Sequence, residues 1–154
     1  MNHKIDKYIT KRIKDLNWQD KSLVEKSGLS KGQISKLKNG SVEKLSAETF
    51  YLLVTAFKDS FSTAISFTYP NLKDYKLKEY NQKKRNVFGS IMREVEVSTN
   101  TIEEISAKTG ISEVRLSELY FRKGALEAFE LILIEKAVGK KLGELFEKLY
   151  GNGK

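Results

Sequence analysis

Between Ser30 and Asn39 the chain carries Lys31, Lys36 and Lys38, interleaved with Gln33, Ser35 and Asn39. Side chains of these types suit a polyanion. Lysine donates to phosphate oxygens and to guanine O6 and N7, while glutamine and asparagine can pair bidentately with adenine. Upstream, Gln19 and Lys21 stand where a helix would begin, and could hold a phosphate with the help of free backbone N–H groups. A solvated lysine-rich face is the plainer alternative, with Gln33 serving only as a capping residue. Other chemistries are poorly supplied. There is no Cys, and the single His is His3, close to the start of the sequence. Paired carboxylates such as Glu94/Glu96, Glu103/Glu104 and Glu144/Glu147 have no His at ligand spacing, and there is no nucleophile–base pair or glycine-rich phosphate loop. The expectation is a protein that is not an enzyme, holds no metal or cofactor, and shows no small-molecule site.

The charge balance agrees with a polyanion partner. The 154 residues carry a formal net charge of +8. Residues 1–70 contribute 12 basic and 7 acidic side chains, residues 71–84 contribute 5 and 2, and residues 85–154 contribute 11 of each. A basic front with a neutral back places the expected contact in the first half. Forty per cent hydrophobic residues supply enough apolar mass for packed cores. No apolar run approaches the roughly 18 residues that span a bilayer, and the opening residues lack the apolar stretch of a secretion signal. A cytoplasmic protein with no membrane partner is expected.

Helical spacing dominates the apolar residues. Ile5, Ile9, Ile13 and Leu16 form one stripe, and Phe50, Leu53, Val54 and Phe57 another; Phe129, Ile132, Leu133 and Ala137, then Leu142, Leu145, Phe146 and Leu149, continue the pattern. Ser62–Tyr69 is β-branched and aromatic, yet no stretch alternates with period two, so the fold class is all-α. Ser30-x-x-Gln33 and Thr101-x-x-Glu104 fit the capping box. The only proline, Pro70, precedes the polar basic stretch 71–84, which reads as a linker. Residues 23–40 align without gaps with residues 105–122, and five of the eighteen positions are identical: Lys26/Lys108, Gly28/Gly110, Ser30/Ser112, Ser35/Ser117 and Leu37/Leu119. Two units of one design are therefore expected, at 1–70 and 85–154.

Each copy has a short helix ending at a glycine, which can take the left-handed conformation that stops a helix. An aliphatic residue follows (Leu29 or Ile111), then a serine able to cap the next helix. Ile34 and Leu37 would face the core, leaving the lysines outward. With the following Leu45-Ser-Ala-Glu-Thr-Phe-Tyr-Leu-Leu-Val-Thr-Ala-Phe, this stretch resembles the phage repressor/Cro-type (XRE) helix-turn-helix family. The resemblance covers about residues 4–68, with a more divergent copy over about 86–150. It implies tandem five-helix domains, duplex DNA as partner, and a transcriptional regulator, of the repressor type, acting by operator occupancy. The family's contact positions fall on Lys31, Ser35, Lys36 and Asn39, with Gln33 and Lys38 flanking them and Ser30 capping the helix. Where the family favours Gln at the opening of the second helix, this chain has Asp20, and Ile102 in the second copy.

The second copy rewrites the outward face. Lys31, Lys36 and Lys38 become Glu113, Glu118 and Tyr120, and Gln33 becomes Arg115. Carboxylates against phosphates lower affinity, so this unit is expected to contact protein instead. Tyr120-Phe121 and the apolar run holding Leu131 and Ile134 are the expected interface residues, although core packing is the commoner fate of such aromatics and explains the run without a partner. A homodimer built on the back half would supply a second reading helix. Rival readings are a protein-binding adaptor or antitoxin-like module that has lost DNA, and a DNA-architectural or recombination accessory protein.

Overall fold

A computed structural model describes residues 1–81, 100–121 and 125–151. Among these residues it is all-α, with nine α-helices and no strand. The front half holds α1 (Ile5–Leu16), α2 (Asp20–Ser27), α3 (Lys31–Lys38), α4 (Ala47–Ala56) and α5 (Phe61–Thr68), then a 3-10 turn at Pro70–Leu72. The back half holds α6 (Ile102–Thr109), α7 (Glu113–Phe121), α8 (Ala128–Ala137) and the single turn α9 (Glu144–Phe146), which runs into a π turn at Glu147–Gly151. The opening of the expected second unit, residues 82–99 with the Glu94/Glu96 pair, and residues 122–124 and 152–154 lie outside the described residues.

Local chemistry accounts for the helix ends. Ser30, Ser46, Ser60 and Thr101 each accept the backbone N–H three residues on, satisfying one orphan donor of the first turn. Ser30 and Gln33 form the full reciprocal box. At Thr101 the glutamate instead turns to Lys108, at 3.0 Å. Gly28 and Gly110 end α2 and α6 at φ 77° and 82°. Ser62–Tyr69 is helical over most of its length.

The core is one continuous cluster through both halves. Ile5, Tyr8 and Ile9 of α1 are fully buried with Leu23, Ile34, Leu37 and the apolar face of α4. Trp18 stacks on Phe57, with centroids 5.6 Å apart. α4 packs on α8, and Phe146 of α9 lies against Phe50 and Phe61, at 5.9 and 5.2 Å. At the start of α4 and α8 the two halves exchange backbone hydrogen bonds: Ala47 N–H donates to Leu126 C=O at 2.7 Å, and Ala128 N–H to Leu45 C=O at 3.0 Å, flanking an antiparallel Ser46–Glu127 bridge. The stretch expected as a linker is tied down where it is described. Leu72 is buried, the Tyr75 hydroxyl donates to Thr109 C=O at 2.7 Å, and Lys78 N–H donates to Lys108 C=O at 2.8 Å.

Two buried contacts hold the last turns. Glu135, fully buried, accepts from Gly143 and Leu145 N–H at 3.0 and 2.7 Å, and burial raises its pKa above the ordinary carboxyl value. Gly143 sits at φ 94°, and a Cβ there would come within 2.7 Å of the Phe61 ring. Gly143→Ala meets both a left-handed backbone and a ring in the shared core, so it is expected to destabilise the fold by about 2–4 kcal/mol. Chemical denaturation measures this. A change below about half a kcal/mol, as for an ordinary surface site, would count against the close contact.

Candidate nucleic-acid interface

The outward face of α3 is set by its inward one. Ile34 and Leu37 are buried, which turns Lys31, Gln33, Ser35 and Lys36 to solvent. The turn from α2 that aims this helix is fixed by buried Ser27, whose hydroxyl accepts the Leu29 N–H at 3.1 Å. In the back half Thr109 takes the same role, accepting the Ile111 N–H at 3.1 Å. Among the described residues Lys31, Lys36 and Lys21 form no ion pair, so their charges face solvent uncompensated. Gln19 is the N-cap of α2 and makes no capping bond through its side chain.

Several expected contact groups have structural duties. The Gln33 carbonyl oxygen accepts the Ser30 N–H at 2.9 Å, which holds this side chain against the start of α3. Ser30 Oγ accepts the Gln33 N–H at 3.1 Å. Asn39 Oδ1 accepts from Ser41 N–H at 2.9 Å and also from the Ser41 hydroxyl, so it shapes the turn after α3. Bidentate pairing of either amide with adenine uses its carbonyl oxygen, which these turns already engage and hold in place. Lys38 is half-buried and its Nζ lies 2.7 Å from Asp20 Oδ1. Lys44 was absent from the sequence-derived set. It lines one groove with Gln33 and Lys36, and a neighbouring one with Ser46, Arg115 and Glu127. Its signal, a lone lysine in a loop, is too common to single out.

The outward face of α7 differs in kind. Arg115 is not a free cation: Nε and Nη2 donate to the Glu130 carboxylate at 2.7 and 2.8 Å, Nη2 also reaches Ala125 C=O at 3.2 Å, and Nη1 lies 3.5 Å from Glu118. The bonds to Glu130 raise the guanidinium pKa further. What remains outward is Glu113, Val114 and Phe121, with Val114 72% and Phe121 81% exposed. Tyr120 is exposed beside Phe121, centroids 6.2 Å apart, so this pair lies outside the core. Leu131 is 3% exposed and belongs to the core shared with the front half, and Ile134 is half-buried against it. Leu131 thus offers no free surface to another chain, and Ile134 only part of its side chain.

Among the described residues no group of three or more His, Cys, Asp or Glu side chains is placed to hold a metal ion, and no helix is long and apolar enough to cross a membrane. No protein-family model, no curated protein and no solved structure matches the chain.

Proposed function

We propose that the chain binds duplex DNA through a helix-turn-helix formed by α2 and α3 and regulates transcription by occupying an operator, with no catalytic step. The observation that carries this reading is the outward face of α3, where Lys31, Ser35 and Lys36 stand exposed and unpaired above buried Ile34 and Leu37. Such a helix can enter a major groove, its lysines near phosphates and base edges. Lys21 and Gln19 at the start of α2, and Lys44 beside α3, supply backbone contacts. On this reading 1–70 is the DNA-binding unit, 71–84 the connection, and 85–154 a divergent second copy of the same design. The matched turns at Gly28 and Gly110, and the matched bonds at Ser27 and Thr109, support the copy. Selection from a random duplex library at low salt, followed by a salt titration, tests the proposal. Binding should fall steeply as salt rises, with a log–log slope of about −0.9 per phosphate neutralised. Failure to enrich any duplex would sink it.

Exposed Val114, Tyr120 and Phe121 beside Glu113 and Glu118 favour a second reading for the back half, as a surface for another protein. It adds to DNA binding in the front half and does not replace it.

Asp20 gives the DNA reading a sharp test. It begins α2, where the helix dipole favours a negative group, and it holds Lys38. A phosphate approaching that helix end would meet a carboxylate and a lysine already paired. Asp20→Asn frees the lysine and removes the repulsion. Duplex affinity at low salt is expected to rise several-fold, in line with the ~0.5–1 kcal/mol of one exposed charge contact. Weaker binding after this substitution would place the phosphate elsewhere.

A further inference from the structure

We infer that the chain is a covalently joined pseudo-dimer, in which the back half takes the place of a second protomer, so that it meets DNA as a monomer with one reading helix and an asymmetric site. The DNA part rests on the function proposed above; the pseudo-dimer does not. Ser46 and Glu127 are the N-caps of two ten-residue helices, α4 and α8, and these residues pair with each other. The bonds around them are reciprocal: Ala47 donates to the residue before Glu127, and Ala128 donates to the residue before Ser46. Any antiparallel bridge has reciprocal bonds; what points to a two-fold contact here is that the residues paired hold equivalent places, as N-caps of matching helices in the two halves.

A second pair of electrostatic influences obeys the same axis. Tyr69 is hydrogen-bonded to the Phe129 backbone and its pKa is raised by burial and by Glu127 at the start of α8, while that of Tyr150 is raised by burial and by Glu48 at the start of α4. The equivalences agree in number, since 127 − 46, 129 − 48 and 150 − 69 are all 81. Residues 23–40 match at an offset of 82, and the connection after the third helix is one residue shorter in the back half. The surface around the axis is consumed within the chain. Phe50, Phe61 and Tyr51 of the front face Phe146 and Tyr150 of the back, which buries Phe50, Tyr51 and Phe146 and leaves Phe61 and Tyr150 only partly exposed. The apolar group left exposed on α7 is rimmed by Glu113 and Glu118, which would repel their own copies in a symmetric pairing. The homodimer expected from sequence drew part of its motive from Leu131 and Ile134, which this arrangement packs against the shared core, and part from Tyr120 and Phe121, which stay exposed.

Three measurements on the full chain test the inference. Sedimentation equilibrium from micromolar to submillimolar concentration should return a single species of 17.6 kDa. Twice that mass would overturn it. The Ser46→Cys/Glu127→Cys double variant should oxidise to a disulfide within one chain, because a pair flanked by hydrogen bonds in this pattern has Cα atoms about 4.5 Å apart, inside the disulfide range. No native cysteine competes. Covalent dimers on a non-reducing gel, or no cross-link, would overturn the intrachain contact. A duplex recovered by selection should bind one chain and lack a palindrome, whereas two chains on a palindromic site would overturn the monomeric reading. If no duplex binds at all, the proposed function falls, and the mass and the disulfide still decide the pseudo-dimer.

Discussion

Lys36→Glu is expected to weaken duplex binding at low salt by about 10- to 100-fold, since it removes a contact of about 1–3 kcal/mol and sets a carboxylate against phosphate. Lys36 is exposed, forms no ion pair among the described residues and shares a groove with Gln33 and Lys44. Its replacement should therefore leave the fold nearly unchanged, apart from a loss of about 0.3–1 kcal/mol for a negative charge in the last turn of α3. The same reversal at exposed Lys141, in the back half, changes net charge equally and should cost little binding. Titration of both variants against the selected duplex separates the cases. Equal losses would mean that overall charge, and not α3, attracts the duplex. A loss at Lys36 alone, with a shallower salt slope, is the outcome expected of a positioned contact.

The elements of this fold are legible because their signals are local. Ser30 and Gln33 are three residues apart, and the spacing of Ile5 and Ile9 marks a buried stripe without knowledge of what covers it. What covers it is not local. Phe50 meets Phe146 from the other half of the chain, and Arg115 meets Glu130 across a turn between two helices. Neither partner carries a mark distinguishing it from other aromatics or glutamates. The candidate site shows the same division. Residue types on α3 point to a polyanion, yet Gln33 and Asn39 look like reading groups in sequence and act as cap and turn in the structure. A polar side chain at a helix end has two uses, and only geometry tells which one it has taken. Tyr120 and Phe121 go the other way: aromatics usually pack inward, and these two, expected from sequence at an interface, are exposed.

Arg115→Glu is expected to destabilise the protein by about 3–5 kcal/mol, a large share of the roughly 5–15 kcal/mol that holds an ordinary domain together. In the alignment of residues 23–40 with 105–122 Arg115 stands opposite Gln33, and it is the one basic side chain on α7. In the structure it is bound on three sides, by Glu130, Glu118 and the Ala125 carbonyl. Glu130 is only 3% exposed, and its Oε1 also accepts the Glu127 N–H at 3.0 Å, beside the bridge that joins the two halves. A glutamate at 115 would leave that carboxylate unpaired and add a second one against it. Arg115→Met removes the charge without the added repulsion, so it should fall between wild type and Arg115→Glu. The Arg115→Met/Glu130→Met double variant should recover most of the loss, because replacing a buried pair with apolar groups is often close to neutral. Urea denaturation of the three variants reads this order directly. If Arg115→Glu stays within about 1 kcal/mol of wild type, the pair is a surface contact in solution and does not brace the junction of the two halves.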